Sequence, residues 1–128
     1  MRLLLFALLA LAAPASAQML PSGTWTGTLA RDDDRLGVEA EIERCATGFK
    51  VALDVEGRTA ETETAQWDAG RLRFEVPGLR LPGTLLSRAL TCDLRADGDG
   101  VLAGACTTGR RRYTLRLDPP AEAAFGCD

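Results

Sequence analysis

The sequence runs to 128 residues, 46% of them hydrophobic, with 15 basic residues against 18 acidic ones and no histidine. That length holds one domain around one core. A net charge of −3, with the two signs interleaved, reads as a solvated outer surface and not as the basic footprint of a nucleic-acid or anionic-membrane binder. The missing histidine removes the commonest general base.

Residues 1–17 read as a secretory signal peptide. Met1-Arg2 is a short basic start, Leu3 to Ala13 is apolar, and Ala15-Ser16-Ala17 is the small-x-small pattern of a cleavage site before Gln18. The apolar run is shorter than the roughly 20 residues a membrane-spanning helix needs. The expected domain is therefore residues 18–128, exported to the periplasm or the medium. Without Arg2 it carries 14 basic and 18 acidic residues, a net −4. Lys50 is its one lysine, and asparagine is absent, so no N-glycosylation sequon exists.

Cys45, Cys92, Cys106 and Cys127 are even in number, and an exported chain meets an oxidising compartment, so two disulfides are expected. Zinc is the competing reading of four cysteines. It is poorly served without a CxxC pair or a histidine.

From Thr24 onward the chain alternates apolar and polar residues with the period of a strand buried on one face. Thr24–Ala30 turns Trp25, Gly27 and Leu29 inward. The turn Asp32-Asp33-Asp34-Arg35 leads to Leu36–Cys45, with Leu36, Val38, Ala40 and Ile42 inward and Glu39, Glu41 and Glu43 outward. Ala46-Thr47-Gly48 leads to Phe49–Val55, and Glu56-Gly57-Arg58 to Thr59–Trp67. This last strand breaks the rule: if Glu61 and Glu63 face water, then Thr62, Thr64 and Gln66 face in. Either the interior is partly polar there or the strand is a poorly covered edge.

After Asp68-Ala69-Gly70, Arg71–Val76 directs Leu72, Phe74 and Val76 inward. Residues 77–87 are irregular, punctuated by Pro77-Gly78 and Pro82-Gly83 and apolar enough to form a lid. Arg88–Ala96, Val101–Thr107 and Arg110–Leu117 complete eight strands, and Pro119-Pro120 stops the last. Ala121–Phe125 has room for a short helical turn. Eight strands joined by short turns predict an all-β, eight-stranded antiparallel up-and-down barrel, which closes its own edges. A two-sheet sandwich is the alternative.

One register follows from turn chemistry. A three-residue loop, Gly98-Asp99-Gly100, places a glycine where the loop needs a left-handed residue. Paired residue numbers then sum to 198 and Cys92 faces Cys106 directly, within reach of a disulfide. That leaves Cys45 with Cys127.

Candidate sites are few. The carboxylates of Glu39, Glu41, Glu43, Glu61 and Glu63 lie on outward faces, where solubility explains them. Asp97-Gly98-Asp99-Gly100 resembles the start of a calcium loop but lacks the distal bidentate Glu. Arg110-Arg111-Arg112 is a small basic cluster that a strand start explains. No metal, cofactor or catalytic residue is expected. An interior ligand would be lined by Trp25, Phe49, Thr62, Thr64, Phe74 and Tyr113, apolar groups with a few placed polar ones.

Gly23-Thr24-Trp25 resembles the G-x-W opening of lipocalins and their calycin relatives, including avidins. That resemblance implies an eight-stranded barrel holding a small molecule. It also implies an Arg packed across Trp25, here among Arg110, Arg112 or Arg116. The chain is also similar in size and cysteine use to periplasmic inhibitors of secreted metalloproteases, which act through an N-terminal arm. The corresponding arm is Gln18-Met19-Leu20-Pro21-Ser22. Periplasmic lysozyme inhibitors are a further resemblance, although their Ser-Gly-x-x-Tyr loop is absent. The expectation is a monomeric, non-enzymatic barrel that binds a small apolar ligand. The alternative is a module acting on a secreted enzyme, and neither reading involves nucleic acid or a membrane span.

Overall fold

The computed structural model describes residues 20–46, 48–82 and 88–122. Eight strands follow in chain order: β1 (Gly23–Arg31), β2 (Asp34–Cys45), β3 (Gly48–Val55), β4 (Arg58–Asp68), β5 (Arg71–Leu79), β6 (Arg88–Ala96), β7 (Leu102–Thr108) and β8 (Arg111–Asp118). Each pairs antiparallel with the next, and β8 returns to pair with β1, closing the barrel. The expected up-and-down barrel is therefore the fold.

The turns explain the meander. Between β3 and β4 the two-residue loop is Glu56-Gly57, and between β4 and β5 it is Ala69-Gly70. All four residues have positive φ, the backbone that matches the twist of a tight hairpin. Between β6 and β7 the loop is the expected three-residue one. Asp97 N–H donates to the Val101 carbonyl at 2.9 Å and Gly100 takes a φ of 85°. The Asp97 carboxylate accepts from the backbone N–H of Asp99 and Val101, at 2.8 and 3.0 Å. Its Oδ1 thus braces the turn from within.

Cys92 faces Cys106 in that register, and the two form a disulfide with 4.1 Å between Cα atoms. Both cysteines are buried, so the bridge lies inside the barrel. It sits in a layer running Phe74, Cys92, Cys106, Tyr113 across four strands. It is the one disulfide seen among the described residues. The other expected bridge involves Cys127, which lies outside them. Cys45 itself is not a free thiol.

The expectation of a polar inward face on β4 is corrected. Val51 pairs with Thr62 but Phe49 pairs with Ala65, so β4 carries one extra residue in this interval. Such a bulge inverts the facing of everything beyond it. Ala60 and Thr62 point in before the bulge; Ala65 and Trp67 point in after it, and Thr64 and Gln66 are exposed. The Thr64 backbone N–H donates to Thr62 Oγ1 at 3.2 Å, tying the bulge locally.

The interior is filled by side chains from all eight strands, among them Leu29, Ile42, Leu53, Leu72, Leu94 and Leu115, each at most 1% exposed. Apolar residues outside the strands are buried at both ends of the barrel as well. Leu20, before β1, is buried at the end holding the 69–70 and 98–100 turns. Leu81, after β5, is buried at the other. Residues 77–79, expected in an irregular lid, continue β5, with Leu79 buried. Residues 83–87 of that lid lie outside the described residues, as do 123–125 of the proposed helical turn.

Candidate binding site at one end of the barrel

The end that holds the N-terminal segment is where the sequence's large aromatics meet a surface concavity. Trp25 opens β1 with its ring 1% exposed, and its Nε1–H donates to the Pro21 carbonyl at 3.2 Å. That bond satisfies the one polar atom of a buried indole. It also folds the chain back so that Leu20 reaches the core. Ser22 is held from the other side, where the Arg44 backbone N–H donates to Ser22 Oγ at 3.0 Å. The part of the expected N-terminal arm from Leu20 to Ser22 is thus docked on the barrel.

Trp67 reaches the same end because the bulge in β4 inverted the strand; without it Trp67 would face water. It stands half-buried at the end of β4. The Ala69-Gly70 turn beside it is fixed to β6 by a bond from Ala96 N–H to the Gly70 carbonyl, 2.8 Å long. Together these groups line a concavity of ≈ 600 Å³ with Leu20, Pro21, Trp25 and Trp67 as apolar walls and Arg95, Asp97 and Asp99 as charged members. That is within the usual range of small-molecule sites, about 300–1,000 Å³.

The residues expected to line an interior ligand do not converge. Trp25, Phe74 and Tyr113 are buried in the core, Phe49 and Thr62 are half-buried, and Thr64 is exposed. Thr64 is lost to the bulge, and Phe74 and Tyr113 pack the disulfide layer. Of the six, Trp25 alone lines the end concavity. Leu20 was not expected there, and Trp67, a large aromatic that core packing or ligand lining could equally explain, was not among the six. An apolar residue just before the first strand, and a Trp two residues after Ala65, are the sequence signals that point to them.

The expected Arg across Trp25 is also corrected. Arg110, Arg112 and Arg116 are all exposed, and Arg116 pairs with Asp118 at 3.6 Å on the outer face. On β8 the inward positions belong to Tyr113, Leu115 and Leu117, so Arg112 and Arg116 point away from the core. The one arginine that lines the concavity together with Trp25 is Arg95, from β6.

No family model, curated protein or solved structure matches this chain. What stands is the class: an all-β, closed, eight-stranded antiparallel barrel, compatible with a lipocalin-like fold, carrying a buried cross-strand disulfide. Among the described residues no helix is long and apolar enough to cross a membrane, and no three metal-ligating side chains gather.

Proposed function

We propose that the protein is an exported, non-enzymatic binding protein that takes a small apolar molecule at the Trp67 end of the barrel. The supporting observation is the ≈ 600 Å³ concavity walled by Leu20, Pro21, Trp25 and Trp67. The filled interior argues for this location over an enclosed calyx. A ligand there stacks on Trp67 and meets Arg95 or Asp99 with any polar end it has. The reading of residues 1–17 as a signal peptide supports export, and the Cys92–Cys106 disulfide fits an oxidising compartment.

A second reading is favoured by the same filled interior: a protein module, for instance an inhibitor of a secreted enzyme, in which a partner's apolar side chain enters the concavity. The docked Leu20–Ser22 segment makes the barrel end, rather than a free arm, the contacting element.

The two readings separate in one titration. Tryptophan fluorescence is followed as the apolar probe N-phenyl-1-naphthylamine is added to wild type and Trp67→Ala. The small-molecule reading expects saturation near one equivalent, weakened at least tenfold in Trp67→Ala. Absence of saturable binding, for this probe and for fatty acids, haem and quinones, overturns it. Native mass spectrometry of freshly purified protein adds an independent check for a co-purified molecule.

A further inference from the structure

The outer surface divides by charge. Between Asp34 and Asp68, covering β2 to β4, nine acidic residues accompany four basic ones. Between Arg71 and Asp118, covering β5 to β8, nine basic residues accompany five acidic ones. The net charge of −4 thus hides two halves of opposite sign.

Within the basic half the strand register lines up one cross-strand row. Arg71 lies opposite Arg95, Arg95 opposite Ala103, Ala103 opposite Arg116, and Arg116 opposite Thr28. These positions face outward, since their chain neighbours Leu72, Leu94, Leu102 and Leu117 are buried. Like charges placed directly opposite each other destabilise a sheet, so Arg71 and Arg95 stand where stability alone would not put them. Two carboxylates meet the row: Asp118 lies 3.6 Å from Arg116 in an exposed pair, which is weak, and Asp93 lies beside Arg71. Asp93 takes Arg71 through two bonds, Nε to Oδ1 at 2.7 Å and Nη2 to Oδ2 at 2.5 Å. That uses both oxygens of Asp93 on one arginine. Among the described residues Arg95 and Arg73 then have no ion pair. Arg95 and Arg116 flank Ala103 at two strand spacings, about 9.6 Å, and the alanine leaves the sheet between them open.

We propose that this row is a docking surface for an anionic polysaccharide, whose sulfate, phosphate or carboxylate groups are held by Arg95 and Arg116 across Ala103 with Arg71 and Arg73 alongside. Arginine suits these groups because its planar fork binds oxyanions bidentately. What the face lacks selects the partner class. Its outward residues on β5 to β8 include no aromatic and no large aliphatic side chain; Ala89, Ala103, Ala105 and Pro77 are its apolar members. Protein interfaces depend on buried aromatic or aliphatic anchors, membrane surfaces on apolar groups to insert, and single-stranded nucleic acid on stacking rings. A flexible anionic glycan requires none of them. The acidic half repels the same polymer and confines it to β5–β8. This surface is separate from the apolar walls of the end concavity, although Arg95 borders both.

Heparin is the test probe. Calorimetric titration is run at several salt concentrations on wild type, on Arg73→Ala/Arg116→Ala, and on the control Arg35→Ala/Arg58→Ala from the acidic half. The first pair spares Arg95, so the apolar site is untouched and N-phenyl-1-naphthylamine binding reports on it separately. The expected result is saturable binding whose log affinity falls linearly with log salt. Arg73→Ala/Arg116→Ala should weaken it at least tenfold, and the control less than twofold. Circular dichroism and thermal unfolding verify that both variants fold. Equal losses in the two variants, or no saturable binding at low salt, overturn the proposal. So does equally tight binding of polyglutamate, duplex DNA or phosphatidylglycerol vesicles, which would assign the face to an acidic protein, a nucleic acid or a lipid surface.

Discussion

A Cβ placed on Gly27 would lie 1.7 Å from the carbonyl oxygen of Arg116. Gly27 sits in β1 opposite Leu117, where β8 returns to close the barrel. The two backbones approach too closely there for any side chain, and the obstacle is main chain that cannot swing aside. Gly27→Ala must therefore push β1 from β8 at the closing seam. We expect a loss of about 1–3 kcal/mol, the usual range for overpacking, read as a fall of roughly 5–15 °C in Tm. Gly98→Ala is the matched control: nothing lies within 4 Å of its Cβ position, and its Tm should stay near wild type.

The Cys92–Cys106 bridge spans a sequence separation of 14 and lies inside the barrel. On the loop-entropy model its removal costs about 3 kcal/mol. Cys92→Ala/Cys106→Ala should lose stability by that order in urea unfolding. In wild type, burial should keep reductant away from the bond until the barrel opens, so thiol labelling should track unfolding. Rapid labelling of the native protein in reductant would contradict the buried placement.

Peptide mapping without reduction tests the other pair. A fragment linking Cys45 to Cys127 is expected, along with one linking Cys92 to Cys106. The N-terminal residue of protein recovered from the exported fraction should be Gln18.

The bulge in β4 gives a sharper test than any point substitution. Deleting Thr64 removes the extra residue and leaves Ala60, Thr62, Ala65 and Trp67 in one unbroken inward alternation. The barrel should therefore stay folded, with a loss smaller than that of Leu81→Ala, for which truncation of a buried leucine predicts about 2–5 kcal/mol. Circular dichroism and tryptophan emission report it. An unfolded spectrum, or emission of a fully exposed Trp67, would mean that the facing of Ala65 and Trp67 is not set by the bulge.

Acid stability carries a smaller signal. The Asp93 carboxyl is held below the usual carboxylate range, chiefly by its hydrogen bond from Arg71. Its folded value is lower than its unfolded one. The stabilisation is thus present above the unfolded pKa of about 3.9 and disappears as pH falls through the folded value. Both partners are more than a third exposed, which keeps the effect small. The stability gap between wild type and Asp93→Asn should hold from neutral pH to about 5 and close below about 4.

Most of the barrel was legible because its strands obey a single rule. Alternation placed all eight strands to within a few residues at each end, and the glycine at position 100 fixed the β6–β7 register, disulfide included. The bulge escaped because it is a change of phase rather than of composition. Its trace in the sequence is the odd gap between the inward pair Ala60–Thr62 and the inward pair Ala65–Trp67. Leu20 and Leu81 escaped for a related reason: both lie outside the strands, and an isolated leucine in a connection does not reveal that it is buried at a barrel end. The Arg expected over Trp25 came from resemblance, and the outward facing of Arg112 and Arg116 on β8 removed it. Neither the end concavity nor the arginine row could be read from the sequence, since each needs strand neighbours distant in the chain.

The most direct test of the account is where an apolar molecule lands. In 1H–15N spectra of the labelled protein titrated with N-phenyl-1-naphthylamine, shifts should concentrate at the Trp67 indole, at Ala69-Gly70 and along Asp97–Leu102, with saturation near one equivalent. Shifts centred instead on Val51, Leu53, Phe74 and Leu115 would mean that the ligand enters the barrel interior, and would contradict it.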